Sequence, residues 1–153
     1  MKITDYLTPE LVVADLKAGN KDEVLRLLAG QMAEAVPELA ATDVLNVLMA
    51  REALGSTGIG GGIAIPHGKL GGLENVVVLF ARSFEGVDFA AVDGQPVHLI
   101  FLLLAPESAA GIHLKLLAQI SRMLKRQELR DELLKTDTAE GLYSLIKRED
   151  ENS

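Results

Sequence analysis

The chain has 153 residues, enough for one domain with a proper core and too few for two. Hydrophobic residues make up 48% and aromatics only 4%, with no tryptophan, so the core must be built from Leu, Val, Ile and Ala. A formal charge of −7 speaks against nucleic acid as the main partner, and the absence of cysteine excludes disulfides, thiolate catalysis and zinc–thiolate sites.

Taken from the start, MKITDYLTPE holds no apolar run of the signal-peptide kind. Leu11-Val12-Val13-Ala14 reads as a short early strand. Asn20 and Glu23 approximate a capping box, opening a helix with Val24, Leu27, Leu28 and Met32 on one face and Pro37 beyond its end. Thr42 is the expected cap of a second helix, with Val44, Leu45, Val47, Leu48 and Leu54 forming a broad buried face. Gly55 stands where a left-handed C-terminal cap belongs, which puts Arg51 in the last turn as a cation complementing the helix dipole.

The next stretch, Arg51 to Leu70, carries six of the fourteen glycines and leads through Ile63-Ala64-Ile65-Pro66 to His67. Glycine is entropically costly, so this density marks a loop with unusual dihedrals or a close approach of backbone to something bulky. Beyond it, Val76–Phe80 and Leu99–Leu104 are unbroken apolar runs, the pattern of strands covered on both faces. Between them, Glu85-Gly86 and Asp93-Gly94 read as turns. The longest apolar stretch, Val97–Ala105, is interrupted by His98 and too short to span a bilayer, so no membrane insertion and a cytoplasmic location are expected.

From Gly111 the period becomes helical, with Leu114, Leu117, Ile120 and Leu124 on the expected buried face. Helical pieces around 128–135 and 138–148 follow. The expected organisation is one α/β domain over residues 1–148, a three-layer arrangement of sheet and flanking helices, with a polar tail at 149–153.

The glycine stretch does not fit a nucleotide site. A P-loop needs Gly-Lys-Ser/Thr where Gly61 and Gly62 stand, and a dinucleotide fingerprint from Gly58 has Ile63 in place of its third glycine. Ser56 and Thr57 do not form a nucleophile elbow. The three histidines, His67, His98 and His113, lack metal-ligand spacing, so neither a metal nor a cofactor is expected. His67 remains, either as a nucleophile toward a phosphoryl group or as a turn residue after Pro66. As a nucleophile it would draw on the Thr57 hydroxyl, Arg51, loop N–H groups and the helix N-terminus near Gly111 to steady the charge. His113, in the first turn of that helix, reads as a neutral imidazole that donates to an anion or packs; His98 reads as a satisfied core or rim histidine.

The stretch resembles the active-site signature of the type-2 EIIA domains of the bacterial phosphotransferase system, the fructose and mannitol class. The likeness begins at Glu52 and continues through Ile59-Gly60 and Ile63-Ala64-Ile65-Pro66-His67-Gly68. It is extended by Asp93-Gly94-Gln95-Pro96-Val97 and by His113-Leu114. Leu54-Gly55-Ser56-Thr57-Gly58 and His67-Gly68-Lys69-Leu70 are similar to the nitrogen-regulatory branch. The Gly60-Gly61-Gly62 run departs from the family pattern, which often has a polar residue in its middle, and a more mobile loop is expected there.

The resemblance implies a mixed, mainly parallel sheet flanked by helices. It implies that His67 is phosphorylated on Nε2 by an HPr-like phosphocarrier, with His113 against it and Arg51 steadying the phosphoryl group. Thr57, Ser56, Gly58 and Gly68 are the further candidate phosphate contacts. It implies a phosphotransferase component that regulates target proteins, with potassium transport and sensor-kinase control among the regulated processes of the family. Two other readings stay open: a sugar-specific EIIA that passes phosphate to an EIIB, and a regulatory module that acts by contact alone.

Overall fold

The apolar run at Val97–Ala105 becomes the central strand of the sheet, and every residue of it except His98 is buried. The computed structural model describes residues 2–152. Its elements in chain order are β1 (Val12–Val13), α1 (Lys21–Ala35), α2 (Ala41–Ala53), β2 (Gly58–Gly60), β3 (Ile63–Ala64), β4 (His67–Lys69), β5 (Val77–Val87), β6 (Val97–Ala105), α3 (Ala110–Met123), α4 (Gln127–Lys135) and α5 (Ala139–Asn152). Short 3-10 turns at Ile3–Asp5, Pro9–Leu11 and Glu107–Ala109 complete the path.

The sheet runs in the order β1-β5-β6-β3-β2, with β4 also on β6. β1 is parallel to β5, and β3 and β4 are parallel to β6; the β5–β6 and β2–β3 pairs are antiparallel. This is the expected α/β architecture, a mixed sheet with mostly parallel pairings flanked by helices.

One register positions the site. Ile63 lies opposite Leu99 and His67 opposite Leu103, the same 36-residue offset, so residues 63–69 follow β6 as one interrupted strand. The interruption has a chemical cause. Pro66 has no N–H to give, and the Ile65 N–H turns instead to the Thr57 carbonyl at 3.0 Å. The Pro66 carbonyl still accepts from the Leu103 N–H at 3.0 Å, which holds the register across the gap.

The α1 cap is half of the expected box: Asn20 Oδ1 accepts the Glu23 N–H at 3.0 Å, while Glu23 reaches the Gly19 N–H rather than that of Asn20. α2 starts two residues earlier than expected. Its N-cap is Ala40, which supplies no side-chain bond, and Thr42 lies within the helix. Leu54 does not join the buried face either; it is 85% exposed. Glu85-Gly86 is not a turn. β5 continues to Val87 through a register shift, with Gly86 at φ 88° tucked against Pro96 and His98.

α3 buries His113, Leu116, Ile120 and Leu124, spaced three, four and four, while Leu114 is 69% exposed. Ile120 and Leu124 belong to the expected face as well, and His113 and Leu116 are buried in place of Leu114 and Leu117, a turn of the face by roughly 50° that brings His113 inward. The face of α3 that it joins packs on β6.

Three interior charges, Arg82, Glu149 and Asp150, tie distant segments of the chain together. Arg82 of β5 is fully buried, donating from Nε to the Ala14 carbonyl (2.8 Å) and from Nη1 to the Leu133 carbonyl (2.6 Å). Residues 149–152 are not a tail but the end of α5, and both Glu149 and Asp150 are buried. Their polarity made the segment look solvated, yet each acid has work inside the fold. Glu149 pairs with Arg126, and Asp150 accepts from the Ile3 N–H (3.0 Å), the Thr4 N–H (2.8 Å) and the Thr4 hydroxyl (2.8 Å). Asp150→Ala strips these N–H groups of their acceptor and should lower stability by about 2 kcal/mol, read as a lower urea midpoint at unchanged slope.

Candidate functional site

His67 is the first residue of β4, half-buried, and both of its ring nitrogens are engaged. Nδ1 lies 2.8 Å from the Ile65 carbonyl oxygen. A carbonyl can only accept, so the proton sits on Nδ1. Nε2 is left with its lone pair, and it accepts from the Arg51 Nε–H at 3.3 Å. A guanidinium can only donate, so both contacts select one tautomer.

Arg51 comes from the last turn of α2, as expected, and spans to the loop beyond it, donating from Nη1 to the Gly55 carbonyl at 2.9 Å. Among the described residues no carboxylate lies within ion-pairing distance of it. Its known partners are thus a neutral carbonyl and a neutral imidazole. The guanidinium charge is not cancelled locally.

His113, in the first turn of α3, meets His67 edge to face, the ring centroids 5.3 Å apart. It is 5% exposed, and among the described residues neither of its ring nitrogens has a hydrogen-bond partner. Burial first, then repulsion of a second positive charge beside His67 and Lys69, pushes its pKa below the ordinary 6.5. A neutral imidazole with an unused N–H beside the Nε2 lone pair of His67 can donate to an oxygen placed there. Two shallow depressions of about 220 and 340 Å³ meet at the pair. They are lined by Lys69, Ala110, Leu114 and Leu117 on the α3 side and by Val47, Ala50 and Leu54 on the α2 side.

The other candidate residues are placed differently. Thr57 is buried, its hydroxyl donating to Glu52 and its N–H also bound by Glu52 at 3.0 Å. The Ser56 hydroxyl donates to the Phe89 carbonyl at 3.2 Å and accepts the Gly58 N–H at 3.1 Å. These donors are committed within the fold, and only a rearrangement would free them for a phosphoryl group. Gly58 itself lies in β2, where a Cβ would come within 2.9 Å of Ala91. Gly68 follows His67 in β4, and a Cβ there would stand 2.3 Å from Val47 Cγ1. Its need for glycine is the close approach of α2 to β4.

The Gly60-Gly61-Gly62 run does not surround His67. All three take positive φ (97°, 67° and 81°) and make the turn between β2 and β3. That turn is about 13 Å of strand away from His67. The Gly61 N–H donates to Asp93 Oδ2 at 3.1 Å, a bond that links the turn to the loop before β6. That bond and the one from the Gln95 N–H hold the Asp93 carboxyl below its usual range. His98 lies beside this turn, its Nδ1 donating to the Ser83 carbonyl at 2.8 Å, a satisfied rim histidine. Among the described residues no three His, Asp or Glu side chains converge as a metal site would need.

Two residues of the site were passed over in the sequence. Glu52 marked only the start of a resemblance, and Lys21, bonded to it at 2.9 Å, carried no assigned role. The available signal was Lys21 itself, a cation in the first turn of α1, where the helix dipole disfavours it.

The depressed pKa of His113 has a consequence for stability. The unfolded chain takes up a proton near pH 6.5 and the folded site resists it, so stability is fully present above pH 6.5 and falls as pH drops from there toward the lower folded value. His113→Gln should flatten this decline in urea midpoints between pH 7 and about 5.

Three similarities bear on this geometry. Residues 5–149 match the family model described as phosphoenolpyruvate-dependent sugar phosphotransferase system, EIIA 2. The chain is 45% identical over 146 residues to a nitrogen regulatory protein of Bradyrhizobium diazoefficiens and 42% identical over 146 residues to one of Pseudomonas aeruginosa, covering 95% of each chain in both cases. The crystal structure of the nitrogen regulatory protein IIA-Ntr from Neisseria meningitidis superposes with a TM-score of 0.87 at 36% identity, over 94% of this chain and 98% of that one. No described helix is long and apolar enough to cross a membrane. With the match spanning almost the whole fold, the chain belongs to the type-2 EIIA family of the phosphotransferase system.

Proposed function

We propose that the chain is a phosphocarrier of the nitrogen-regulatory kind, taking a phosphoryl group onto His67 Nε2 from the phosphohistidine of an HPr-like protein in the cytoplasm. The observation that carries this reading is the state of His67. Its Nδ1 proton is held by the Ile65 carbonyl, and its Nε2 lone pair lies between an Arg51 charge free of carboxylate partners and an unsatisfied His113.

In the transfer, the P–N bond of the donor breaks as the P–Nε2 bond forms, and the electron pair of the broken bond leaves with the donor imidazole. No base is needed, because Nε2 is already unprotonated and the Nδ1 proton stays where it is. The Arg51 guanidinium must swing its donors from the ring to the phosphoryl oxygens. That exchange replaces a neutral acceptor with an anionic one and strengthens the bond. His113 supplies a neutral N–H, which avoids placing a second full cation in a buried pocket. The donor is already activated, so neither ATP nor a metal enters this step.

The rim supports a protein as the donor. Leu54 and Leu114 are 85% and 69% exposed on opposite sides of the histidine pair, an apolar frame around a polar centre. Phosphorylation adds about −1.5 to −2 charges at the middle of that frame. The face offered to a regulated target, for which a sensor kinase or potassium transporter is the family expectation, then differs in charge between the two states.

Incubation with a phosphorylated HPr-like donor should add one phosphoryl mass, in an acid-labile form, to the wild type and none to His67→Ala. An acid-stable adduct, or one that persists in His67→Ala, would refute the assignment. Arg51→Ala and His113→Ala should each slow transfer by roughly a hundredfold, with the fold retained by circular dichroism. Efficient onward transfer to a sugar-specific EIIB would favour the metabolic reading over the regulatory one.

A further inference from the structure

Glu52 has no place in the transfer just described, yet it is among the most heavily engaged side chains near the site. Its side chain is 5% exposed and carries three bonds. Oε1 receives the Thr57 N–H at 3.0 Å and Lys21 Nζ at 2.9 Å, and Oε2 receives the Thr57 hydroxyl. From Thr57 the path continues without a break. The Thr57 carbonyl accepts the Ile65 N–H at 3.0 Å, and the Ile65 carbonyl accepts His67 Nδ1–H at 2.8 Å.

We propose that Glu52, with Lys21 as its counter-ion, is a positioning residue that sets the reactive tautomer of His67 through the chain Glu52–Thr57–Ile65–His67. The physical argument has three parts. First, Ile65 is where the strand pairing lapses: its N–H goes to the Thr57 carbonyl, and this bond anchors the residue whose own carbonyl accepts from His67, while the Pro66 carbonyl holds the next peptide to Leu103. Thr57 is in turn fixed by a two-point grip, its N–H on Oε1 and its hydroxyl on Oε2 of the Glu52 carboxylate.

Second, a carboxylate buried without a partner would be costly, and the structure answers this with a cation in an unfavourable place. Lys21 sits in the first turn of α1, against the helix dipole, with its ammonium 5.0 Å from the centre of the Phe89 ring. Glu52 compensates for that position and Lys21 for the burial of Glu52.

Third, Arg51 and Glu52 are neighbours in sequence at the end of α2, where adjacent residues point in different directions. The lysine holds the carboxylate on the Thr57 side, so it does not satisfy the guanidinium that the phosphoryl group requires. Glu52 thus both orients the nucleophile and stays off its partner cation.

This inference rests on the phosphocarrier reading for its importance, but its first test does not. In the 15N-labelled full-length chain, ring-nitrogen NMR should show His67 in the wild type as the single Nδ1–H form. Glu52→Ala removes both acceptors of the Thr57 donors, and Lys21→Gln removes the counter-ion. Both should shift His67 toward a mixture with Nε2–H, while Lys21→Arg keeps the wild-type spectrum. With the phosphorylated donor, the same two variants should transfer about ten- to a hundredfold more slowly at an unchanged half-saturating donor concentration.

A purely structural role would lower the urea midpoint yet leave the tautomer of the folded protein as it was. A folded Glu52→Ala with an unmixed Nδ1–H spectrum and a wild-type rate overturns the proposal. Should Glu52→Ala fail to fold, Lys21→Gln decides by the same two readouts. A wild type that takes no phosphoryl group refutes the phosphocarrier reading, whereas the tautomer comparison still decides the role of Glu52.

Discussion

The hydrogen bond from His67 Nδ1 to the Ile65 carbonyl is the contact on which the chemistry of this site depends. An imidazole attacks through whichever nitrogen lacks a proton, and in water the two tautomers interchange freely. Here the acceptor is part of the backbone, two residues upstream, and cannot be rotated away like a side chain. Pro66 between them has its φ restricted and contributes no N–H that would draw the Ile65 peptide toward β6. The specific nitrogen left for chemistry is therefore a product of backbone geometry.

Around this bond the charges are arranged by exclusion. Arg51 is kept clear of carboxylates, Glu52 is held by Lys21, and His113 is held neutral by burial and by the nearby His67 and Lys69. A site with all its charges paired would be more stable and would have little to offer a phosphoryl group. The buried unsatisfied nitrogens of His113 are the visible cost of that readiness, since desolvated polar groups without partners destabilise a fold. Stability is supplied elsewhere, by the aliphatic core around β6 and by buried ties such as Arg82 and Asp150.

Much of this was legible in the chain before folding, and the parts that were not share a cause. The unbroken apolar runs located β5 and β6, and the Pro66-His67 boundary located the histidine proposed as nucleophile, because both signals are local. His113 was harder. Its burial depends on which face of α3 meets the sheet, and Leu114 offers an equally plausible apolar stripe one residue away. The glycines also misled in part. Their density suggested a cradle, whereas Gly60 to Gly62 serve a turn, Gly58 a strand beside Ala91, and Gly68 a close helix contact. Composition shows that the backbone must do something unusual at these positions and does not show against what. Glu149 and Asp150 read as solvated ends because their partners, Arg126 and the first residues of the chain, are far away in sequence.

The constant register of residues 63–69 against β6 separates His67 from the loop that precedes it. Where His67 sits and which way it faces follow from its pairing with Leu103, because a slip of one residue would send every side chain of the segment to the opposite face. The turn at Gly60 to Gly62 lies upstream of that pairing and need only return the chain to it. Loop length and composition there can change without moving His67, whereas a single inserted or deleted residue between Ile63 and His67 would invert it. The fold thus gives this domain one evolutionarily soft edge and one rigid one, within a few residues of each other.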